Sequence, residues 1–229
     1  MLVTLNFGAV KGLHPAEQQQ LQDLADVFNY HQSSNTLKDK YYEGHITLKD
    51  VNLGIALPKK GMENLEVGCS WGQKAVDVLA ARSMFDGFVS TGGSLDSLAK
   101  LVADSRLVAE YAKACRDELK YGCTFAALFA DPEVGCRIRF HSPATAAALW
   151  NGEKGRIDCG LAIVDTAPDE SVSNEWTPAL VYLYTDTHVV VLRRQQDNWT
   201  AEYNSQMMGR PLMEPLIWNA TNSKPFGRS

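Results

Sequence analysis

The sequence predicts an α+β fold, with N-terminal helices followed by a mainly antiparallel β portion. Apolar residues recur at a spacing of 3.6 residues as far as Gly122, which is typical of amphipathic helices. Beyond Gly122 they alternate with polar residues, which is typical of half-buried strands. Short polar turns, such as residues 185–187, join neighbouring strand-like runs and favour an antiparallel meander over parallel βαβ units. We therefore assign residues 1–122 to a mainly helical part and residues 123–218 to an antiparallel β part.

Two helices are predicted at the start of the chain. Pro15 suits the first turn of the first helix, whose apolar stripe contains Leu21, Leu24, Ala25 and Phe28. The second is short, runs from Leu37 to Glu43 and ends at Gly44.

Two more helices are predicted between residues 70 and 122. Ser70 and Gln73 have the spacing of a capping box, and the apolar residues that follow predict a buried face formed by Ala75, Val76, Leu79 and Ala80. Asp104 is predicted to cap the last helix, which ends at Gly122.

The β portion begins with a predicted hairpin. Residues 123–130 and 135–141 flank the turn residues Asp131, Pro132 and Glu133. In its second strand Cys136, Ile138 and Phe140 form the apolar face, while Arg137, Arg139 and His141 form the polar one. Further strands are predicted at residues 157–163, 180–184, 188–193 and 199–203, and the polar, acidic residues 166–177 are predicted to form a surface loop.

Composition limits the classes of function. The chain has 229 residues, 22 of them Lys or Arg and 27 Asp or Glu, so its formal net charge at pH 7 is −5. This length suffices for one large domain or two small ones whose core needs neither a disulfide nor a metal. The acidic balance argues against broad, non-specific binding of nucleic acid but leaves a local basic strip open.

Sequence motifs for catalysis, metal binding and membrane targeting are missing. We find no phosphate-binding glycine loop, no GxSxG or HExxH sequence and no closely spaced cysteine pair. The N-terminus does not read as a secretory leader, and no apolar run approaches the ~20 residues that cross a bilayer. The sequence therefore predicts no catalytic residue, no metal, no cofactor and no membrane contact, with five free, reduced cysteines.

Two local features suggest interaction surfaces. The arginines Arg137, Arg139, Arg193 and Arg194 would form a basic strip if their strands were neighbours, although ordinary solvent-facing charge is the simpler interpretation. The aromatic residues Tyr41, Tyr42 and Trp71 could anchor a partner, but core packing is the better prediction for two of the three.

Four sequence motifs follow one another along the chain. The first is the YYEG element at residues 41–44, and the second is a helix with Val76, Asp77, Leu79 and Arg82 followed by Gly87 and Phe88. A third, YG..F, falls at residues 121–125, and a fourth, SP.TA..LW, at residues 142–150. Together they extend over nearly the whole chain, and in this order they resemble the N-terminal part of the Gp6-like portal proteins of tailed double-stranded-DNA bacteriophages.

The resemblance implies a structural role. Portals of this family form a dodecameric ring at one vertex of the capsid, through which double-stranded DNA is packaged and ejected. The partners implied are other copies of the chain, the terminase that supplies the ATPase activity, the head-tail connector, and the capsid and scaffolding proteins. The implied location is the virion, after synthesis in the cytoplasm of a bacterial host, from a phage or a prophage.

The resemblance also implies that the chain is mainly the wing of such a portal, without stem, clip and crown. Residues 219–229 would then be the truncated lead-in to the stem, and Tyr41, Tyr42, Arg82 and Arg228 are the subunit-interface residues implied. The alternative is an α+β ligand-binding or hydrolase-like domain that uses Arg137, Arg139 and His141. A DNA-binding regulatory domain is disfavoured by the net charge and the lack of a basic recognition helix.

Overall fold

A computed structural model of the chain describes residues 4–47, 66–67, 70–89, 92, 95–131, 135–168, 176–195, 198–205 and 208–223. The helices in this part are α1 (Pro15–Glu43), α2 (Trp71–Ala80), α3 (Asp96–Asp104) and α4 (Leu107–Tyr121). The strands are β1 (Ile46–Thr47), β2 (Glu66–Val67), β3 (Cys123–Asp131), β4 (Gly135–His141), β5 (Ala146–Asn151), β6 (Arg156–Pro168), β7 (Trp176–Tyr184), β8 (His188–Gln195), β9 (Asn198–Ser205) and β10 (Met213–Ile217). The predicted α+β fold, with helices first and antiparallel strands after them, is confirmed.

The strands form two main sheets in which all pairs are antiparallel. β5, β6, β7, β8 and β9 make a five-stranded meander in chain order. β3 lies between β10 and β4 in a three-stranded sheet, and β1 pairs with β2. The predicted hairpin is therefore confirmed as the β3–β4 pair.

The core has two apolar layers, one on each face of the five-stranded sheet. The first half of α1 covers one face, with Leu21, Leu24 and Phe28 packed against alternate residues of β6, β7 and β8. The three-stranded sheet covers the other face through residues that include Phe125, Ala127 and Met213. The order of layers is helix, sheet, sheet, so each apolar surface of the long meander is buried.

α4 lies against the opposite face of the three-stranded sheet. The rings of Tyr111 on α4 and Phe140 on β4 are 6.2 Å apart, edge to face. The second half of α1 extends toward α2 and α4, so the C-terminal ends of α1 and α4 lie close together near the start of β3.

The prediction of two N-terminal helices was wrong, because α1 is one continuous helix of 29 residues. No glycine or proline interrupts residues 16–43. The apolar stripe fades after Phe28 because the buried positions there carry Gln32 and Asn35. The Asn35 side chain donates a hydrogen bond to the carbonyl of Pro143, 3.1 Å away. A buried amide that finds a partner continues the buried face without an apolar signal.

The predicted helix caps also need correction. Ser70 precedes α2 as expected, but its side chain makes no capping hydrogen bond. Asp104 ends α3, a helix that the sequence analysis missed, instead of starting α4. α4 follows Arg106, which has a left-handed conformation with φ of 51°.

Parts of the β portion differ from the prediction as well. Residues 166–168 belong to β6 and residues 176–177 to β7, so the prediction of a loop over these residues was wrong, and residues 169–175 lie outside the described residues. β5 and β10 were not predicted, and β10 carries Pro215 at an edge of its sheet, where a missing N–H is tolerated.

Candidate functional site

The best-developed polar cluster in the described residues lies where α1, α2 and α4 meet, and we call it the three-helix junction. The hydroxyl of Tyr42 on α1 donates a hydrogen bond to a carboxylate oxygen of Asp77 on α2, at 2.8 Å. Nε of Arg116 on α4 donates to the same oxygen, at 2.9 Å. One carboxylate thus joins three helices.

A second set of contacts joins α1 to α4 beside the first. The Tyr121 hydroxyl donates to a carboxylate oxygen of Asp39, and Lys120 forms an ion pair with that oxygen. The ammonium group of Lys120 also lies 4.7 Å from the centre of the Tyr42 ring. Nζ of Lys38 donates to the carbonyl of Tyr121 at 2.8 Å, which satisfies a carbonyl at the end of α4.

Burial and charge set the protonation of this junction. Hydrogen bonds from Tyr42 and, to a smaller extent, Arg116 lower the pKa of Asp77, so this carboxylate is ionised at neutral pH. Burial and the bond to Asp39 raise the pKa of Tyr121 well above its ordinary value. Burial also raises the pKa of Asp117 to about 6, although Lys120 acts in the opposite direction.

The side-chain contacts of the junction hold three helices together. Asp77 and Asp39 are both engaged by cations and tyrosine hydroxyls. Among the residues that the structure describes, no group of three His, Cys, Asp or Glu side chains is arranged to hold a metal ion.

Next to the junction, α2 exposes most of its surface. We call the stripe of Trp71, Lys74, Ala75, Val78, Leu79 and Arg82 the α2 face. Trp71 is 83% exposed, and Val78 and Leu79 are each 45% exposed. The prediction that Ala75 and Leu79 lie on a buried face was therefore wrong, since Ala80 is the buried residue of α2.

The implied interface residues fall around this junction. Tyr41 is 45% exposed, Arg82 is exposed, and Tyr42 is half-buried in the junction itself. Core packing was predicted for two of Tyr41, Tyr42 and Trp71, and this was wrong because only Tyr42 is partly covered. Arg228 lies outside the described residues.

The four arginines of the predicted basic strip lie in two different sheets. Arg137 and Arg139 are on β4, whereas Arg193 and Arg194 are on β8, so the strands are not neighbours. Arg193 and Arg194 also point to opposite faces of their sheet, because successive residues of a strand alternate. The Arg139 guanidinium stacks on the Phe129 ring at 4.2 Å from its centre.

His141 is buried, so the prediction of a solvated strand residue was wrong. It lies opposite Phe125 in the β3–β4 ladder and therefore on the face turned toward the five-stranded sheet. Burial, with a smaller effect of Arg139, lowers the pKa of this imidazole to about 4. His141 is therefore neutral at pH 7.

The cysteines divide between core and surface. Cys115 and Cys159 are buried and Cys123 is half-buried, while Cys136 is exposed, against the prediction of an apolar face. Burial raises the pKa of the Cys123 thiol to about 11 and that of Cys159 to about 12, so neither is a reactive thiolate at neutral pH. Cys69 lies outside the described residues.

A second polar cluster fastens the start of α1 to the five-stranded sheet. The Tyr203 hydroxyl on β9 donates to the Glu17 carboxylate and accepts a hydrogen bond from the backbone N–H of His14, at 2.9 Å. The rings of His14 and His188 lie edge-on to Tyr203, 5.3 and 5.2 Å from its centre.

Comparison with known proteins identifies no family for this chain. A scan against protein-family models gives no match, and a search of curated proteins gives no significant match. None of the helices in the described part of the chain combines the length and the apolar character that a bilayer crossing requires.

Sequence reasoning missed part of the junction. Tyr42 and Asp77 stand out through their motifs, but Asp39, Arg116 and Lys120 carry no motif. Their spacing was the available signal, because residues three or four apart share one face of a helix. Asp39 and Tyr42 are three apart on α1, and Arg116 and Lys120 are four apart on α4.

Proposed function

We propose that the chain is a structural component of a phage portal and corresponds to its wing. The observation that carries the proposal is the convergence of three sequence motifs at the three-helix junction. Tyr42 of the first motif contacts Asp77 of the second, and Tyr121 of the third contacts Asp39, three residues before Tyr42. The three motifs therefore supply side chains to one polar cluster, which supports the proposal.

The chemistry of the junction supports a role in assembly. Its charged groups neutralise one another and hold three helices in a fixed arrangement, as an interaction scaffold requires. The adjoining α2 face presents a tryptophan and aliphatic side chains to solvent. Aromatic side chains of this kind supply much of the binding energy in protein interfaces.

In this proposal the chain works as one of many identical subunits in a ring that surrounds double-stranded DNA. The terminase, the head-tail connector, and the capsid and scaffolding proteins are its proposed partners. The net charge of −5 is compatible with a wing that lies away from the DNA.

The proposal is tested by electron microscopy of the product of the complete reading frame, purified from the native source or from a bacterial host. We expect rings with a central hole and about twelvefold symmetry. A particle that stays a monomer at all concentrations would refute the proposal. A hydrolytic activity that His141→Ala abolishes would favour the alternative ligand-binding or hydrolase-like domain.

A further inference from the structure

Two exposed helix faces of opposite charge lie on α1 and α2, two of the helices that meet at the three-helix junction. The first is the α2 face, in which the charged residues are Lys74 and Arg82. Asp77 lies one turn from Lys74, and its charge is paired with that of Arg116. The α2 face is thus an apolar stripe with a basic rim.

The second is the outer stripe of α1, which we call the α1 stripe. Positions four, seven, eleven, fifteen, eighteen and twenty-two residues apart fall on one side of a helix. Together with the first position they are occupied by Gln19, Asp23, Asp26, Tyr30, Ser34, Leu37 and Tyr41. All seven are exposed, and the stripe contains two carboxylates and no basic residue.

Each face carries a large aromatic side chain that its own chain leaves exposed. Trp71 is 83% exposed on the α2 face, and Tyr30 is 80% exposed on the α1 stripe. Trp and Tyr are the residues that most often dominate the energy of an interface. Leu37, at 47% exposed, adds an aliphatic surface on the same side of α1, two turns after Tyr30.

We propose that the α2 face of one copy of this chain docks on the α1 stripe of a second copy. The basic rim, Lys74 and Arg82, would then lie toward the acidic end of the α1 stripe, which carries Asp23 and Asp26. The apolar side chains Trp71 and Val78 would pack along the rest of the stripe, on Tyr30 and Leu37. Pairing either face with itself would place like charges opposite each other, which disfavours that arrangement. The inference rests on the proposed function for its partner, a second copy, and adds the two surfaces that meet.

Charge reversal on each face tests the pairing directly. One variant carries Lys74→Glu and Arg82→Glu, so that both of its faces are acidic. The other carries Asp23→Lys and Asp26→Lys, so that both of its faces are basic. Because all four residues are exposed, neither variant removes a core contact.

We expect each variant alone to associate at least about tenfold more weakly than the unchanged chain, and an equimolar mixture to recover association. Recovery is specific to the proposed pairing, because an acidic α2 face meets a basic α1 stripe, and the reverse, only in the mixture. Sedimentation velocity between about 10 µM and 1 mM covers the range in which a weak specific contact is detectable.

Matched controls reverse the same number of exposed charges elsewhere. Lys11→Glu with Lys100→Glu matches the first variant, and Glu153→Lys with Glu202→Lys matches the second. We expect both control variants to associate like the unchanged chain. Equal weakening in the controls, or a mixture that does not recover, would overturn the inference, as would an unchanged chain that stays monomeric up to about 1 mM.

The same variants in the complete reading frame separate this inference from the proposed function. If both charge-reversal variants still form rings, the pairing of these two faces is contradicted but the portal proposal is not. If the complete chain never forms rings but the equimolar mixture of the two variants recovers association, the portal proposal is contradicted and the pairing of the two faces is supported.

Discussion

At the scale of single residues, the tightest constraint is the contact between the two sheets at Gly160. A Cβ atom on Gly160 would lie 2.4 Å from Sδ of the buried Met213, so only glycine leaves room for this side chain. We expect Gly160→Ala to lower the free energy of unfolding by about 1–3 kcal/mol, the usual cost of overpacking. Urea denaturation measures it, with Gly152→Ala as control, because its Cβ meets open space.

A double-mutant cycle shows whether Met213 causes that cost. In a Met213→Ala background the added methyl group has room, so Gly160→Ala should be nearly neutral there. A cost that is the same in both backgrounds would show that the strain comes from another neighbour, such as the carbonyl of Ala147 at 3.5 Å.

His141 makes stability depend on pH. Its pKa of about 4 in the folded chain is below the ordinary 6.5. Between these two pH values the unfolded chain therefore binds a proton on His141 that the folded chain does not bind. Stability present above pH 6.5 is therefore lost as the pH falls toward 4, by up to about 3 kcal/mol. We expect His141→Gln to flatten this part of the stability profile in denaturation from pH 4.5 to 7.5. His45→Gln, at an exposed position, is the matched control.

At the scale of elements, the Tyr42–Asp77 bond connects α1 to α2. Tyr42→Phe keeps the ring, which Lys120 faces, and removes only the hydroxyl that donates to Asp77. We expect a loss of about 0.5–1.5 kcal/mol in the free energy of unfolding, because the solvent-accessible Arg116 still pairs with the carboxylate. Tyr30→Phe, on an exposed ring, should cost nothing measurable. Equal effects of the two substitutions would contradict the junction as described.

Asp117 lies within the same junction and has the opposite dependence on pH. Its folded pKa of about 6 exceeds the ordinary 3.8. Above pH 6 the buried, ionised carboxylate therefore lowers the free energy of unfolding, and this loss disappears below pH 4, where the group is protonated in both the folded and the unfolded chain. Asp117→Asn should therefore stabilise the chain by about 1–3 kcal/mol at pH 7 and have little effect at pH 4. Thermal denaturation at the two pH values measures this, with Glu110→Gln as control. Destabilisation at pH 7 would show that the Asp117 charge is needed by Lys120 or Arg116.

The sequence predicted the elements that carry a strong periodic signal. The β3–β4 hairpin follows directly from alternation and turn residues, and the start of α2 from the spacing of Ser70 and Gln73. The continuity of α1 could not be predicted, since Gln32 and Asn35 are buried and interrupt the apolar stripe. The burial of His141 could not be predicted either, because alternation assigns residues to faces of a strand but does not say which face a second sheet will cover.

At the scale of the whole molecule, the layers explain why the candidate site is helical. The three-stranded sheet and the first half of α1 bury both faces of the meander, so the residues there serve the core. The second half of α1 extends past the sheet and, with α2 and α4, presents polar contacts and exposed apolar side chains. The sequence indicated this region through its motifs, but the junction depends on pairs far apart in the chain, such as Tyr42 and Asp77.

The last prediction concerns assembly of the whole chain. We expect these 229 residues to be monomeric or weakly associated in dilute solution, whereas the portal proposal predicts that the product of the complete reading frame forms a ring. Association must offset about 4–15 kcal/mol of lost rigid-body freedom, and a contact between two helix faces is small for that cost. A head-to-tail contact also gains extra stability only when the circle closes, which depends on every domain holding the right angle. Light scattering at micromolar concentration compares the two chains, and a stable closed ring formed by the 229 residues alone would show that this region carries assembly by itself.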